Sequence, residues 1–568
     1  MRNPVTFIAR LAICVSLGAG APFAAATAQS QAEPGMAGAF LTSRVAVTNN
    51  DFAQMAASHD QLLQSDPDNP GFLELSMQGH LLAGNFERAV ERAAQITANG
   101  NASSVANLVM QADAFDRGVY DVAIAALDDG VLTGPLTDPM ARAWADLGRG
   151  SMSDALAAFD VVIAEREELA PFALYFKALA LAYVGDLERA ESLLTGEAEG
   201  PIGLSRRGVL AHIAILSQLG RTEDALELTD AMFGAAPDED IVDLRAALRE
   251  GRAIPFTTIT SASDGMAETY FTLASALPAE RGDWLPLIYA RLALALRPDH
   301  TEASLLAGEL LESAEEYDLA NAVYDQVPVD DPQYLAVQLA KANALARSGD
   351  VSDAVASLQN LARERPESVL VHSALGDQFR REEQFEQAEA AYTRAIDLLG
   401  TIEERHWVLL YTRAITLERL GEWERAEPEF RRVLEFVPDE PQVLNYLGYS
   451  LIDKGLKLDE ALGMIERAVE AEPDSGYIVD SLGWAYYRLG RYDEAVPVME
   501  RAVELMPTDP ILNDHLGDVY WAVGREREAR FQWRRALSFA PHPDMDVEQV
   551  LRKIEEGKTP PDAVTDTQ

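Results

Sequence analysis

The chain has 568 residues, with 47 Lys plus Arg against 92 Asp plus Glu and a formal net charge of −45. A field of that sign repels nucleic-acid phosphates and anionic lipid surfaces, and it suits either a basic partner or simple solubility. An apolar fraction of 48% excludes a disordered acidic chain, and a solenoid reaches this length as one continuous body.

Residues 1–28 read as a cleaved signal peptide. Arg2 and Arg10 lead into the apolar run Leu11 to Ala21, and Ala26-Thr27-Ala28 supplies small residues for cleavage before Gln29. The single cysteine, Cys14, lies inside that run. In Leu11-Ala12-Ile13-Cys14 the bulky Ile13 departs from the pattern of a lipidated cysteine. The expectation is soluble export to the periplasm, with a lipid anchor as the alternative. Cleavage would remove the thiol, leaving no disulfide or thiolate chemistry and no transmembrane segment.

Residues 29–48 read as a flexible lead. The first helical unit is expected near Asn49 and Asn50, with Phe52, Met55, Leu62 and Leu63 on one face and a stop at Pro67. Further units centre on Ala89, Ala123, Ala155, Ala190 and Ala225, at spacings of 34, 32, 35 and 35. These define an N-terminal array over residues 49–233. Residues 234–285 break the pattern, and Ile254 to Asp264 has no helical periodicity. This segment is either an irregular joint or a divergent repeat, and its loop either an ordinary insertion or a recognition element.

Regularity returns over residues 286–541, with centres at Ala320, Ala354, Ala388 and Ala426. One longer interval falls near Leu399 to Arg405, ahead of a helix expected over Trp407 to Leu420. Residues 542–568 read as a capping helix, Met545 to Ile554, followed by a disordered tail.

The clearest repeats lie between Asn445 and Pro541. Leu-Gly pairs begin at Leu447, Leu482 and Leu516, a period of 35 and then 34 residues. Each unit holds an apolar run, a turn at Gly455, Gly490 or Gly524, and a second amphipathic run centred on Ala461, Ala495 or Ala529. Gly483 and Ala495 stand where two antiparallel helices must approach closely. Leu482, Tyr486, Ala502 and Val503 form the stripe that the next unit covers, because one helix pair cannot bury its own core. These residues resemble the tetratricopeptide repeat family. The resemblance implies an all-α, right-handed superhelical solenoid of about fourteen helix pairs.

No catalytic or metal-binding constellation stands out. The eight histidines are scattered, and no HExxH, GxSxG or GxxxxGK[ST] pattern occurs. No catalytic residue, cofactor or metal site is assigned. In the family the first helices of the pairs line a concave surface that grips peptides. Candidate protein-binding residues there are Asn445, Tyr446 and Tyr449; Asp480, Trp484, Tyr487 and Arg488; and Asp514, His515, Asp518 and Trp521. Amides and carboxylates would hold a peptide backbone while rings supply apolar contact. Core packing is the competing reading for Tyr487 and Trp521. Arg380, Arg381, Arg419 and Arg488 would either clamp an acidic group or pair with neighbouring glutamates.

The segments LNYLGYSLIDKG, DSLGWAYYRLGRYDEAVPVMERAVELMPTDP and LNDHLGDVYWAVGREREARFQWRRAL carry a closer resemblance. They look like the long bacterial envelope proteins that include the outer-membrane lipoprotein adaptor of a periplasmic carboxyl-terminal processing protease. That resemblance implies a non-catalytic adaptor that activates a periplasmic serine protease and brings it cell-wall hydrolases to degrade. It also implies a periplasmic protein associated with the outer membrane through a partner. A scaffold for an envelope export or assembly complex is one alternative, and direct binding of cell-wall glycan by the Trp and Tyr row is another.

Overall fold

The computed structural model describes residues 36–196, 203–234, 239–278, 282–539, 542 and 545–558. Residues 1–28, read as a signal peptide, and the tail beyond residue 558 lie outside the described residues. Among these residues there are thirty α-helices, one short 3-10 helix and no strand. Antiparallel helix pairs succeed one another, as the spacing predicts. Contacts divide the chain into two compact units, residues 1–113 and 114–568.

The first unit holds α1 (Met36–Asn49), α2 (Phe52–Leu63), α3 (Pro70–Leu82) and α4 (Phe86–Ala98), and α5 (Ser104–Asp116) carries the boundary. Helix therefore starts at Met36, inside the stretch read as a flexible lead. The residues α1 buries are Ala39, Ser43 and Ala46, so no stripe of large apolar side chains marks it. In α2 the face predicted from spacing is buried: Phe52, Met55, Leu62 and Leu63. Asp51 caps this helix by accepting the Gln54 N–H at 2.8 Å. Asp60 ties α2 to its neighbours, accepting from Ser76 Oγ at 2.6 Å and from Arg92 at 2.9 Å, with His80 Nε2 at 3.0 Å. Burial alone would raise its pKa, but the bonds from His80 and Ser76 and the Arg92 charge hold it well below the carboxylate range.

The second unit continues with α6 (Tyr120–Asp128), α7 (Thr137–Gly148), α8 (Met152–Glu165), α9 (Ala170–Tyr183) and α10 (Leu187–Leu194). Next come α11 (Arg206–Gln218), α12 (Thr222–Phe233) and α13 (Glu239–Arg249). In the irregular segment, α14 (Ala262–Ala276) pairs with α15 (Leu285–Leu296) as a repeat would, and it also folds back onto α7 and α9. Gly265 makes this approach possible. A Cβ there would lie 2.4 Å from the Trp144 ring, whose Nε1 donates to Thr269 Oγ1 at 3.1 Å. Arg207 Nε donates to Glu268 Oε2 at 2.7 Å, and Tyr175 donates to Glu268 Oε1 at 3.0 Å. The loop before α14 is pinned by its carbonyls, Thr258 accepting from Arg207 at 3.1 Å and Thr257 from Arg297 at 3.1 Å.

The remaining pairs are α16 (Thr301–Ser313) with α17 (Tyr317–Tyr324), α18 (Tyr334–Ser348) with α19 (Val351–Glu364), and α20 (Val369–Arg381) with α21 (Phe385–Leu399). The longer interval holds the 3-10 helix Glu404–His406. Then follow α22 (Trp407–Arg419) with α23 (Trp423–Phe436) and α24 (Pro441–Lys454) with α25 (Leu458–Ala471). The last pairs are α26 (Gly476–Arg488) with α27 (Tyr492–Leu505) and α28 (Pro510–Ala522) with α29 (Glu526–Ser538), and α30 (Val547–Glu556) packs on α29.

Small residues set the distance within each pair. A Cβ on Gly448 would sit 2.8 Å from the Ala461 carbonyl oxygen, so α24 and α25 meet backbone to backbone. The same position in the next repeat, Gly483, is filled by Met499, while Ala495 is fully buried.

Candidate functional site

The first helices of the last three pairs present one surface because their register repeats. Pro441 and Pro510 open α24 and α28 at positions where the missing donor costs nothing. Gly455 closes α24 in the left-handed conformation at φ 67°. Asp509 caps α28, accepting the Leu512 N–H at 2.9 Å. Within each helix the stripe of Leu447, Leu482 and Leu516 is buried. The opposite stripe combines residues three and four apart, which share a face. It reads Asn445, Tyr446 and Tyr449 on α24, Asp480, Ser481 and Trp484 on α26, and Asp514, His515 and Asp518 on α28.

These stripes and α30 enclose a groove of about 880 Å³. Eight of the eleven residues proposed from sequence line it: Asn445, Tyr446, Tyr449, Asp480, Trp484, Asp514, His515 and Asp518. The other three stand behind or beside it. Tyr487 is 1% exposed and lies in the core, stacked on Trp484 with ring centroids 4.9 Å apart. Arg488 donates to Asp453 Oδ1 at 2.5 Å, pairing equivalent positions of adjacent repeats. Trp521 packs on Trp533 at 5.5 Å beneath Arg530 at 4.7 Å, and a Cβ on Gly557 would meet its ring at 2.1 Å. Of the basic residues singled out, Arg419 lines the groove and Arg380 donates to the Tyr392 hydroxyl at 3.3 Å.

The groove is acidic and aromatic. Trp484 and His515 stack with centroids 4.0 Å apart and planes at 20°. His515 Nδ1 lies 3.0 Å from Asp480 Oδ2. Burial disfavours the imidazolium, but the Asp480 charge and hydrogen bond, with Asp514 and Asp518 behind, raise the His515 pKa. Tyr446 stacks on Phe430 and donates to Glu418 Oε2 at 3.3 Å. Burial, with the charges of Asp480 and Asp453, pushes the Tyr449 phenol up to about 12.

Two side chains that sequence reasoning left out complete the site. Lys553 Nζ, on α30, donates to Asp514 Oδ2 at 2.7 Å and to Asp518 Oδ2 at 3.0 Å. Lys558 also donates to Asp518, and its ammonium lies 5.6 Å from the centroids of both Trp484 and Tyr487. Trp533 Nε1 donates to Asp518 Oδ1 at 3.0 Å. The Asp518 side chain is 1% exposed. A signal was available: two of only six lysines in the chain fall at 553 and 558, on a segment read merely as a cap and tail. Among the described residues no group of three or more His, Cys, Asp or Glu could hold a metal ion.

Tetratricopeptide repeat models match residues 339–400 and 479–509. Tetratricopeptide repeats are thus matched in two stretches of this chain, within a helix-pair solenoid of the same kind among the described residues. A "TPR repeat-containing protein" of Pseudomonas aeruginosa is 31% identical over 188 residues, 32% of this chain and 30% of the relative, so the match spans under a third of that protein. A crystal structure of a tetratricopeptide repeat protein from Parabacteroides merdae aligns at 15% identity, covering 45% of this chain and 98% of that one, with a TM-score of 0.39. The APC/C hetero-tetramer Cut9–Hcn1 aligns at 15% identity over 91% of this chain and 96% of that one, with a TM-score of 0.38. No helix among the described residues is long and apolar enough to cross a membrane.

Proposed function

We propose that the chain is a non-catalytic scaffold of the bacterial envelope that holds protein partners in the groove of its last three helix pairs. The observation that carries this reading is the convergence of eight separately predicted residues, from three successive repeats, on one 880 Å³ groove. Repeat arrays use such faces for partner recognition, with aromatic anchors and a few fixed polar groups. The partners favoured by the sequence resemblance are a carboxyl-terminal processing protease and the cell-wall hydrolases it degrades. The leader-like residues 1–28 favour a periplasmic location. His515 covers one face of the Trp484 indole, which argues for a protein ligand over a stacked sugar ring.

Affinity purification of the full chain from envelope extract tests this. Recovery of a processing protease with a hydrolase supports the reading in full. Recovery of an export or assembly complex keeps the scaffold and replaces the partner. Peptidoglycan without protein would overturn it.

A further inference from the structure

The groove already contains a ligand-like group, supplied by the chain itself. Of its lining residues seven carry carboxylates and three are Lys or Arg, and two of those three are Lys553 and Lys558. Without residues 547–558, Arg488 and Lys454 would still pair with Asp453 and Glu418, but Asp514 and Asp518 would lose both of the ammonium groups that they accept from.

Asp518 makes the demand specific. A carboxylate 1% exposed and fixed by the Trp533 indole requires a cation brought to it. The Trp484 and Tyr487 rings beside it favour a positive charge over their faces. Lys558 meets both requirements, through a compact ammonium on a flexible stem.

The present occupancy is incomplete. Asp514 Oδ1 and Asn445 Oδ1, both on groove-lining residues, are buried acceptors without a hydrogen-bond partner, and so is the hydroxyl of Tyr487, 1% exposed. The α30 anchor is one-sided: Val550 is buried, whereas Val547 and Leu551 are 44% and 49% exposed.

We infer that this cleft is a lysine-recognition site for a partner's polypeptide segment, and that residues 547–558 are its resident occupant, displaced when that segment binds. The inference rests on the protein-binding reading of the groove and adds the chemistry of the partner. That partner segment carries lysine, placing its ammonium against Asp518 and the Trp484 and Tyr487 rings. The tethered occupant competes at a high effective concentration, so free segments bind the intact chain weakly.

The probe is a fluorescent peptide copying residues 545–558, titrated by anisotropy against the purified full chain. Lys558→Ala, at a partly exposed side chain beyond the end of α30, weakens the resident occupant without removing a core group. The Lys558→Ala chain is expected to bind the peptide at least tenfold more tightly than the unaltered chain does. A peptide with glutamine at both lysine positions is expected to bind neither. In the unaltered chain, excess lysine peptide should speed amide exchange across 547–556, and the glutamine peptide should not. Equal binding of the two peptides, or no gain from Lys558→Ala, overturns the inference. No envelope partner is present in this assay, so its failure leaves partner capture by the groove standing. Failure of capture from extract leaves the peptide result standing.

Discussion

Arg207 Nε and Glu268 Oε2 meet at 2.7 Å across 61 residues of sequence, with the glutamate side chain only 2% exposed. Tyr175, His300 and Glu302 complete the cluster, with His300 Nε2 3.4 Å from Glu268 and Arg207 Nη1 2.9 Å from Glu302. This buried network ties α14 to Tyr175 on α9 and Arg207 on α11. Removing one partner leaves a buried charge unpaired, which typically costs about 3–5 kcal/mol. Glu268→Ala should therefore lower the melting temperature clearly, read by the fluorescence of the fully buried Trp144. The double replacement Arg207→Met with Glu268→Met should recover most of that loss.

The same cluster sets an acid response. Burial raises the Glu268 pKa, but the Arg207 charge and His300 outweigh it and bring it from the ordinary 4.5 down to about 2. Glu302 moves the same way, burial being outweighed by His300 and Arg207. A depressed carboxylate contributes stability that is fully present above its unfolded pKa and lost as pH falls through the folded one. Docking of α14 should thus weaken progressively as pH falls from about 4.5 towards 2. Near-ultraviolet dichroism of Trp144 along that titration checks it, and Glu268→Gln should flatten the response.

Gly265 faces the Trp144 ring at a distance that leaves no room for a side chain. Gly265→Ala should displace α14 or the indole, and overpacking of this kind costs about 1–3 kcal/mol. Thermal unfolding of the variant measures it. Gly463, with nothing within 4 Å of an added Cβ, is the control, and Gly463→Ala should leave stability unchanged or slightly higher.

The repeats were legible because their small and apolar residues recur at a fixed period. Gly448 and Ala461, or Gly517 and Trp533, signal helix contact locally, and stacking then follows. The groove stripe was legible for the same reason, since Asn445, Asp480 and Asp514 share one register. Three features were not. Helix α1 buries only small side chains and leaves no stripe. The docking of α14 on α7 depends on Trp144 meeting Gly265, a relation between distant residues that no period encodes. Tyr487 and Trp521 share a register three residues past that of Trp484, yet Tyr487 points into the core and Trp521 is covered by Gly557. Side-chain direction on a helix divides residues only three apart, and spacing alone does not specify it.

Trp521 should act on the groove through α30 rather than through direct contact. The ring supports Gly557 and Arg530, and Arg530 Nε donates to the Ile554 carbonyl at 3.2 Å. Trp521→Ala should loosen α30 at a cost of about 2 kcal/mol, within the range for losing such packing. Amide exchange over 547–556 should accelerate while α26 and α27 keep their protection.

The central claim is that the groove, and not the solenoid at large, captures partners. Trp484→Ala measured for both partner recovery and melting temperature tests it most directly. Truncating an aromatic anchor in an interface typically costs about 2 kcal/mol or more, roughly thirtyfold in affinity. Trp484 lines the groove and is partly exposed, so the account predicts loss of partner recovery from envelope extract with a melting temperature lowered by a few degrees at most. Undiminished recovery by a clearly destabilised protein would contradict it.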